Sequence, residues 1–95
     1  MGKFNDIIHG EIPTLVDFHA TWCGPCKTLA PILEQLKATK GASLRILKID
    51  VDKNPTIANE LGIRGVPTLI YYKNGKQCWR KSGVIPLKEL ESLTK

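Results

Sequence analysis

Long apolar runs are missing from these 95 residues. None approaches the roughly 20 that a membrane-spanning helix needs, and no apolar stretch of signal-peptide type follows Met1. Met1-Gly2 does not open a myristoylation motif either, because Asp6 stands where that motif requires Ser or Thr. Cysteine is scarce and odd in number, three in all. Two of the three lie three positions apart, which argues against a disulfide-stapled secreted scaffold and for a reducing, cytoplasmic setting. Metal-site spacing is lacking too. There is no second Cys-x-x-Cys and no His-x3-His, and beyond the close pair only Cys78, His9 and His19 are available to complete four ligands. No repeat of about 20 to 50 residues is visible.

Basic residues exceed acidic ones, 14 Lys and Arg against 9 Asp and Glu. They are scattered, with no run of four and no nucleic-acid motif, so the charge reads as a solvated basic surface and no nucleic-acid partner is expected. Apolar residues make up 42% and charged residues 24%, which suits a soluble globular chain rather than a disordered one. A second unit could not bury a core of its own at this length, so residues 1–95 are expected to form one domain.

The chain is organised around Leu-Val-Asp-Phe-His-Ala-Thr-Trp-Cys-Gly-Pro-Cys-Lys, Leu15 to Lys27. Leu15 to Ala20 is apolar on both faces except for Asp17 and His19, as an interior parallel strand would be. Leu29, Ile32, Leu33 and Leu36 recur at i, i+3, i+4 and i+7, predicting an amphipathic helix from about Pro25 to Thr39 with Gly41 as its stop. Pro31 lies inside it and should kink the helix rather than end it. Upstream, Phe4, Ile7 and Ile8 predict a short first helix limited by Gly10 and Pro13. Downstream, Leu44 to Val51 reads as a strand, and Asn54-Pro55 starts a brief helix with Asn54 as cap, buried through Ile57, Ala58 and Leu61. Asn74-Gly75 between Thr68–Tyr72 and Gln77–Arg80 predicts a hairpin. Pro86 opens a last helix with a Leu87, Leu90, Leu93 stripe. Strands alternating with helices and closing in a hairpin predict an α/β fold with a mixed sheet.

A cysteine at the mouth of the long helix would have its sulfur near unpaired N–H groups and the positive end of the helix dipole. Lowering a thiol from about 8.5 to about 7 raises its thiolate population at neutral pH more than roughly tenfold. Cys26, one turn further on, is expected within reach of Cys23 and less exposed than it. Taken alone, this pair is open to redox, metal-holding or structural use.

Trp22-Cys23-Gly24-Pro25-Cys26-Lys27, with Val16-Asp17-Phe18 before it and Val66-Pro67-Thr68 after it, resembles the thioredoxin family. Asn54-Pro55, Gly62-Ile63-Arg64-Gly65, Lys73-Asn74-Gly75 and Ser82-Gly83 fall in register with that family as well. The resemblance implies the thioredoxin fold and a protein dithiol–disulfide oxidoreductase, with Gly-Pro between the cysteines as in its reducing members. By the same resemblance, Cys23 attacks a target protein's disulfide and Cys26 resolves the mixed disulfide. Asp17 is then the carboxylate assisting proton transfer at Cys26, with Lys48 near it, and Pro67 the cis-proline where the Val66 backbone pairs with substrate. Trp22, Gly24, Pro25, Gly65 and Gly83 would border a flat docking surface for disulfide-containing targets. A separate NADPH-dependent flavoprotein reductase would return the Cys23–Cys26 disulfide to the dithiol, with no cofactor bound in this chain, itself a monomer. The contrasting reading is a noncatalytic module whose cysteines hold a metal or a partner.

Three features depart from the family. His19 stands where an aromatic is usual. It is expected either to stabilise the Cys23 thiolate as an imidazolium and make the couple more oxidising, or to fill the aromatic's space. Only three residues precede Phe4, so the sheet should have about four strands, the family's first strand being missing or vestigial, at some cost in stability. Cys78 reads as a small half-buried residue, with a regulatory or intermolecular thiol as the other possibility.

Overall fold

The computed structural model describes residues 2–95; the reading made of Met1 lies outside them. The chain forms α1 (Gly2–Ile8), β1 (Thr14–His19), α2 (Gly24–Lys40), a 3-10 turn (Gly41–Ser43), β2 (Arg45–Asp50), α3 (Pro55–Glu60), β3 (Thr68–Lys73), β4 (Lys76–Ser82) and α4 (Leu87–Leu93). The four strands lie in the order β2-β1-β3-β4. β1 runs parallel to β2 and antiparallel to β3, and β3 and β4 are a hairpin. The expected mixed sheet of four strands is present, with β2 forming an edge.

Alternation along β1 divides the core. Leu15 joins Leu29, Leu33 and Leu36 of α2, Leu69 and Tyr71 of β3, and Leu90 of α4 on one face of the sheet. Val16 and Phe18 join Phe4 and Ile8 of α1, Ile49 of β2, and Ile70 and Tyr72 of β3 on the other. Period-two alternation therefore places Asp17 and His19 on the α2 face, with Leu15. β1 is paired along both edges and covered on both faces, by α2 and α4 on one and α1 on the other, which is why a carboxylate ends up buried there.

α2 runs through Pro31 to Lys40. The proline removes one N–H bond, that to the Lys27 carbonyl, while the Leu29–Leu33–Leu36 stripe stays packed on both sides of it. Gly41 closes the helix with a φ of 57°, and the Lys37 ammonium donates to the Gly41 and Leu44 carbonyls. Asn54 occupies the cap position of α3 but makes no side-chain cap bond. Its amide instead donates back to the Asp50 carbonyl at 3.0 Å, tying the helix start to the end of β2.

The Asn74-Gly75 turn has positive φ at both residues, 51° and 80°, as a two-residue hairpin turn of the primed type requires. The Gly75 N–H donates to the Ile8 carbonyl at 2.8 Å. The His9 ring, itself hydrogen-bonded to the Asn5 carbonyl, lies so close over Gly75 that a Cβ there would overlap it. His9 is exposed, as expected of it, and it also clasps α1 to the hairpin.

Further along the hairpin Tyr72 faces Gln77 but Tyr71 faces Trp79, leaving Cys78 without a partner. Cys78 is thus the extra residue of a β-bulge, and it is exposed. The half-buried position expected for it is corrected: the bulge breaks the alternation that would have turned its side chain inward. Trp79 resumes the inward direction. Its indole N–H donates to the Leu93 carbonyl at 2.9 Å and pins α4 to the sheet.

Candidate active site

The strand-to-helix junction builds the site. β1 ends at His19, and the Cys23 N–H donates to the Ala20 carbonyl at 3.2 Å, turning the chain into α2. Cys23 is the N-cap residue, with extended backbone angles, and Pro25 occupies the first turn, where its missing N–H would have had no partner. The Cys23 sulfur accepts the Cys26 N–H at 3.1 Å. Sulfur thus fills the place of the usual cap oxygen, facing the free N–H groups and positive dipole end of a 17-residue helix. Cys23 and Cys26 are joined as a disulfide, their Cα atoms 5.3 Å apart.

Ala20, Val51 and Val66 pack against the pair. The exposures run opposite to expectation, 3% for Cys23 and 9% for Cys26. With the disulfide closed, the Cys23 sulfur is tucked under this apolar cover, whereas one side of Cys26 opens onto a cleft of about 280 Å³. Asp17, His19, Ala20, Lys27 and Lys48 line that cleft beside it.

Asp17 is 5% exposed, and its Oδ1 is buried without a hydrogen-bond partner. Burial pushes its carboxyl above the ordinary carboxylate value, with the charges of His19 and then Lys48 pulling part of the way back. Lys48 lies directly across from Asp17 in the β1–β2 register. The folded state therefore holds the Asp17 proton more tightly than the unfolded chain does. The contribution to stability is complete below the ordinary carboxylate value and is lost as pH rises through the raised one. Asp17→Asn should stabilise the fold by about 1–3 kcal/mol near pH 8, the usual cost of an unsatisfied buried group, and converge with the wild type near pH 4. Denaturant midpoints at the two pH values check this; an equal difference at both would refute it.

On the other side of the pair the Val66–Pro67 peptide is cis, and the Pro67 carbonyl accepts the Gly83 N–H at 2.9 Å. Thr68 holds the same loop by donating to the Gly65 carbonyl at 2.7 Å. Trp22 is 69% exposed, its indole N–H held by the Asp52 carboxylate at 2.8 Å. Trp22, Gly65 and Val66 line a shallow groove of about 120 Å³ with Val51, Ile63 and Arg64, while Gly24 and Pro25 are exposed at the start of α2. Sequence reasoning did not find the Trp22–Asp52 bond: Asp52 directly follows the strand expected to end at Val51, 30 residues from Trp22.

A disulfide-forming cysteine pair at a helix mouth, packed against Val66 of a cis-proline loop with a shallow groove beside it, defines a protein that exchanges dithiols for disulfides. The thioredoxin family model matches residues 1–95. The chain is 41% identical over 87 residues to thioredoxin of Porphyra purpurea, covering 92% of this chain and 81% of that one. It is 43% identical over 89 residues to chloroplastic thioredoxin Y of Oryza sativa subsp. japonica, covering 93% and 53%. Among solved structures, oxidized mitochondrial thioredoxin 3 of Saccharomyces cerevisiae superposes with a TM-score of 0.88 at 34% identity, covering 98% and 86%. The chain belongs to the thioredoxin family. It is a protein dithiol–disulfide oxidoreductase, a protein-disulfide reductase whose redox group is its own disulfide; the noncatalytic module is not favoured. The family works on disulfide targets together with reductase partners and needs no bound cofactor. Among the described residues no three metal-ligating side chains cluster, and no helix is long and apolar enough to cross a membrane.

Proposed function

We infer that Cys23 is the attacking nucleophile and Cys26 the resolving thiol, with Asp17 as the proton carrier for Cys26. The observation carrying this is the helix cap: the Cys23 sulfur alone occupies the acceptor position at the mouth of α2, where negative charge is favoured. Cys26 instead shares its cleft with the unpartnered Asp17 carboxyl, which suits a thiol that must give up its proton only at the second step. Lys48 and His19 support this cleft. The target's extended segment lies along the Val66 backbone beside Pro67, over a surface formed by Trp22, Gly24, Pro25, Gly65 and Gly83. Residues 1–95 act as one domain and as a monomer, in the cytoplasm, and an NADPH-dependent flavoprotein reductase regenerates the dithiol. The exposed, unpaired Cys78 thiol supports a reducing compartment.

The test is alkylation of the reduced protein near pH 7 with substoichiometric iodoacetamide, followed by peptide mapping. Cys23 should be labelled at least about tenfold faster than Cys26, as expected of a helix-capping thiolate. Equal labelling, or preference for Cys26, would overturn the assignment.

A further inference from the structure

His19 is the residue near the pair that neither the exchange chemistry nor the family resemblance uses. It closes β1 two positions beyond Asp17 and on the same face, half-buried. It lines the cleft that contains Asp17 and Cys26, whereas Cys23 does not. Its charge is therefore directed at the carboxylate and the second thiol rather than at the nucleophile.

The charged groups around this cleft come from three elements. β1 supplies Asp17, and α2 supplies Cys26 and Lys27. β2 supplies Lys48 and Asp50, the register partners of Asp17 and His19. The Asp50 carboxylate is engaged in its own turn, accepting the Asp52 and Lys53 N–H groups at 2.9 and 3.3 Å. Lysine side chains as a class keep their charge between about pH 5 and 8, whereas imidazole ordinarily changes its charge within that range. The cleft thus brings two lysines and one imidazole around Asp17 and Cys26.

We propose that His19 is a positioning residue for the resolving half-reaction: its imidazolium, facing Asp17 and Cys26 across one cleft, holds Asp17 in the carboxylate form that accepts the Cys26 proton. The proposal rests on Asp17 being that acceptor. In the mixed disulfide the Cys26 thiol passes its proton to the Asp17 carboxylate. The Cys26 thiolate then bonds to the Cys23 sulfur as the bond from Cys23 to the target breaks. The electron pair leaves on the target sulfur, which takes a proton from solvent. The target has gained two electrons, and the Cys23–Cys26 pair has lost them. Burial works against the carboxylate form, and a cation two residues along the strand opposes burial, in agreement with the direction in which His19 acts on Asp17. A unit charge about 6.6 Å along a solvent-lined strand changes a neighbour's acid dissociation constant on the order of threefold to tenfold.

The test uses dithiobis(nitrobenzoate) as the disulfide. Its reaction with the reduced protein releases one coloured thiolate as the mixed disulfide forms and a second as Cys26 resolves it, so the second phase reads the resolving step. Because the exposed Cys78 thiol would release a coloured thiolate of its own, wild type, His19→Trp, His19→Gln and Asp17→Asn are all compared in a Cys78→Ser background, from about pH 5.5 to about pH 8.5, spanning the imidazole range. Both His19 variants should slow the second phase about threefold to tenfold near pH 5.5–6 and match wild type within about twofold near pH 8.5, above the range in which imidazoles as a class carry charge. His19→Trp restores an aromatic of the family's kind and His19→Gln keeps a polar group, so a folding defect in one leaves the other to decide. If the His19 variants differ from wild type by one constant factor at every pH, or not at all, while Asp17→Asn is slow, His19 only fills space and the proposal is overturned. A second phase unchanged in Asp17→Asn would instead overturn the proton-carrier reading of Asp17, and this proposal with it.

Discussion

Cys26→Ser should turn a turnover catalyst into a trap. Cys23 keeps its place as helix cap and still attacks a target disulfide, but the serine hydroxyl is not ionised at neutral pH and cannot displace the target from the mixed disulfide. Turnover with a protein disulfide and dithiothreitol should fall to the rate of dithiothreitol alone. About one target should stay bound per chain, visible by mass spectrometry under non-reducing conditions. Cys23→Ser should lose turnover and form no such adduct. The exposed Cys78 thiol is a second place at which a target could attach, so both variants belong in a Cys78→Ser background. An adduct that forms with Cys23→Ser and not with Cys26→Ser would reverse the two roles.

The largest expected loss of stability lies at Phe18. It is fully buried, in a strand paired on both sides, and packed among Phe4, Ile8, Ile49, Ile70 and Tyr72 contributed by α1, β2 and β3. Phe18→Ala leaves a cavity that three separate elements would have to move to fill, at a cost of about 3–5 kcal/mol. A domain of this size has about 5–15 kcal/mol in total. At about 4–8 °C per kcal/mol the melting temperature should drop by roughly 12–40 °C. Calorimetry checks this. A drop of less than about 5 °C would mean that the α1 side of the sheet is loosely packed, contrary to the burial described for it.

The parts of the fold that were legible in the sequence are those whose causes are local. Leu29, Leu33 and Leu36 predict α2 because helical spacing alone decides which residues share a face. Pro25 and Gly41 bound the helix because each has a backbone preference of its own. Asn74-Gly75 predicts the hairpin for the same reason. Features made by distant segments were not legible. The bulge at Cys78 is a matter of register between two strands, Tyr72 facing Gln77 and Tyr71 facing Trp79, and no local pattern announces it. The His9 clasp on Gly75 requires knowing that α1 ends beside the hairpin. Asn54 takes the cap position expected of it, but nothing local showed that its amide would tie the helix start to the Asp50 carbonyl. At the site, the two cysteines and the helix that bears them could be read directly. The cis form of Val66–Pro67 came only from the family resemblance, since about 5–6% of X-Pro bonds are cis in folded proteins. The order of burial within the pair was misread because it depends on Val51 and Val66, which arrive from other parts of the chain.

The strand order described above leaves β2 and β4 as the sheet's two rims, each with a row of backbone groups that another chain's strand could join to start an aggregate. Both rims carry exposed cations: Arg45 and Lys48 on β2, and Lys76, Arg80 and Lys81 on β4. Rim-to-rim contact between copies therefore brings positive charge against positive charge. Part of the net charge of +5 thus protects the protein's colloidal stability, guarding both borders of a small sheet.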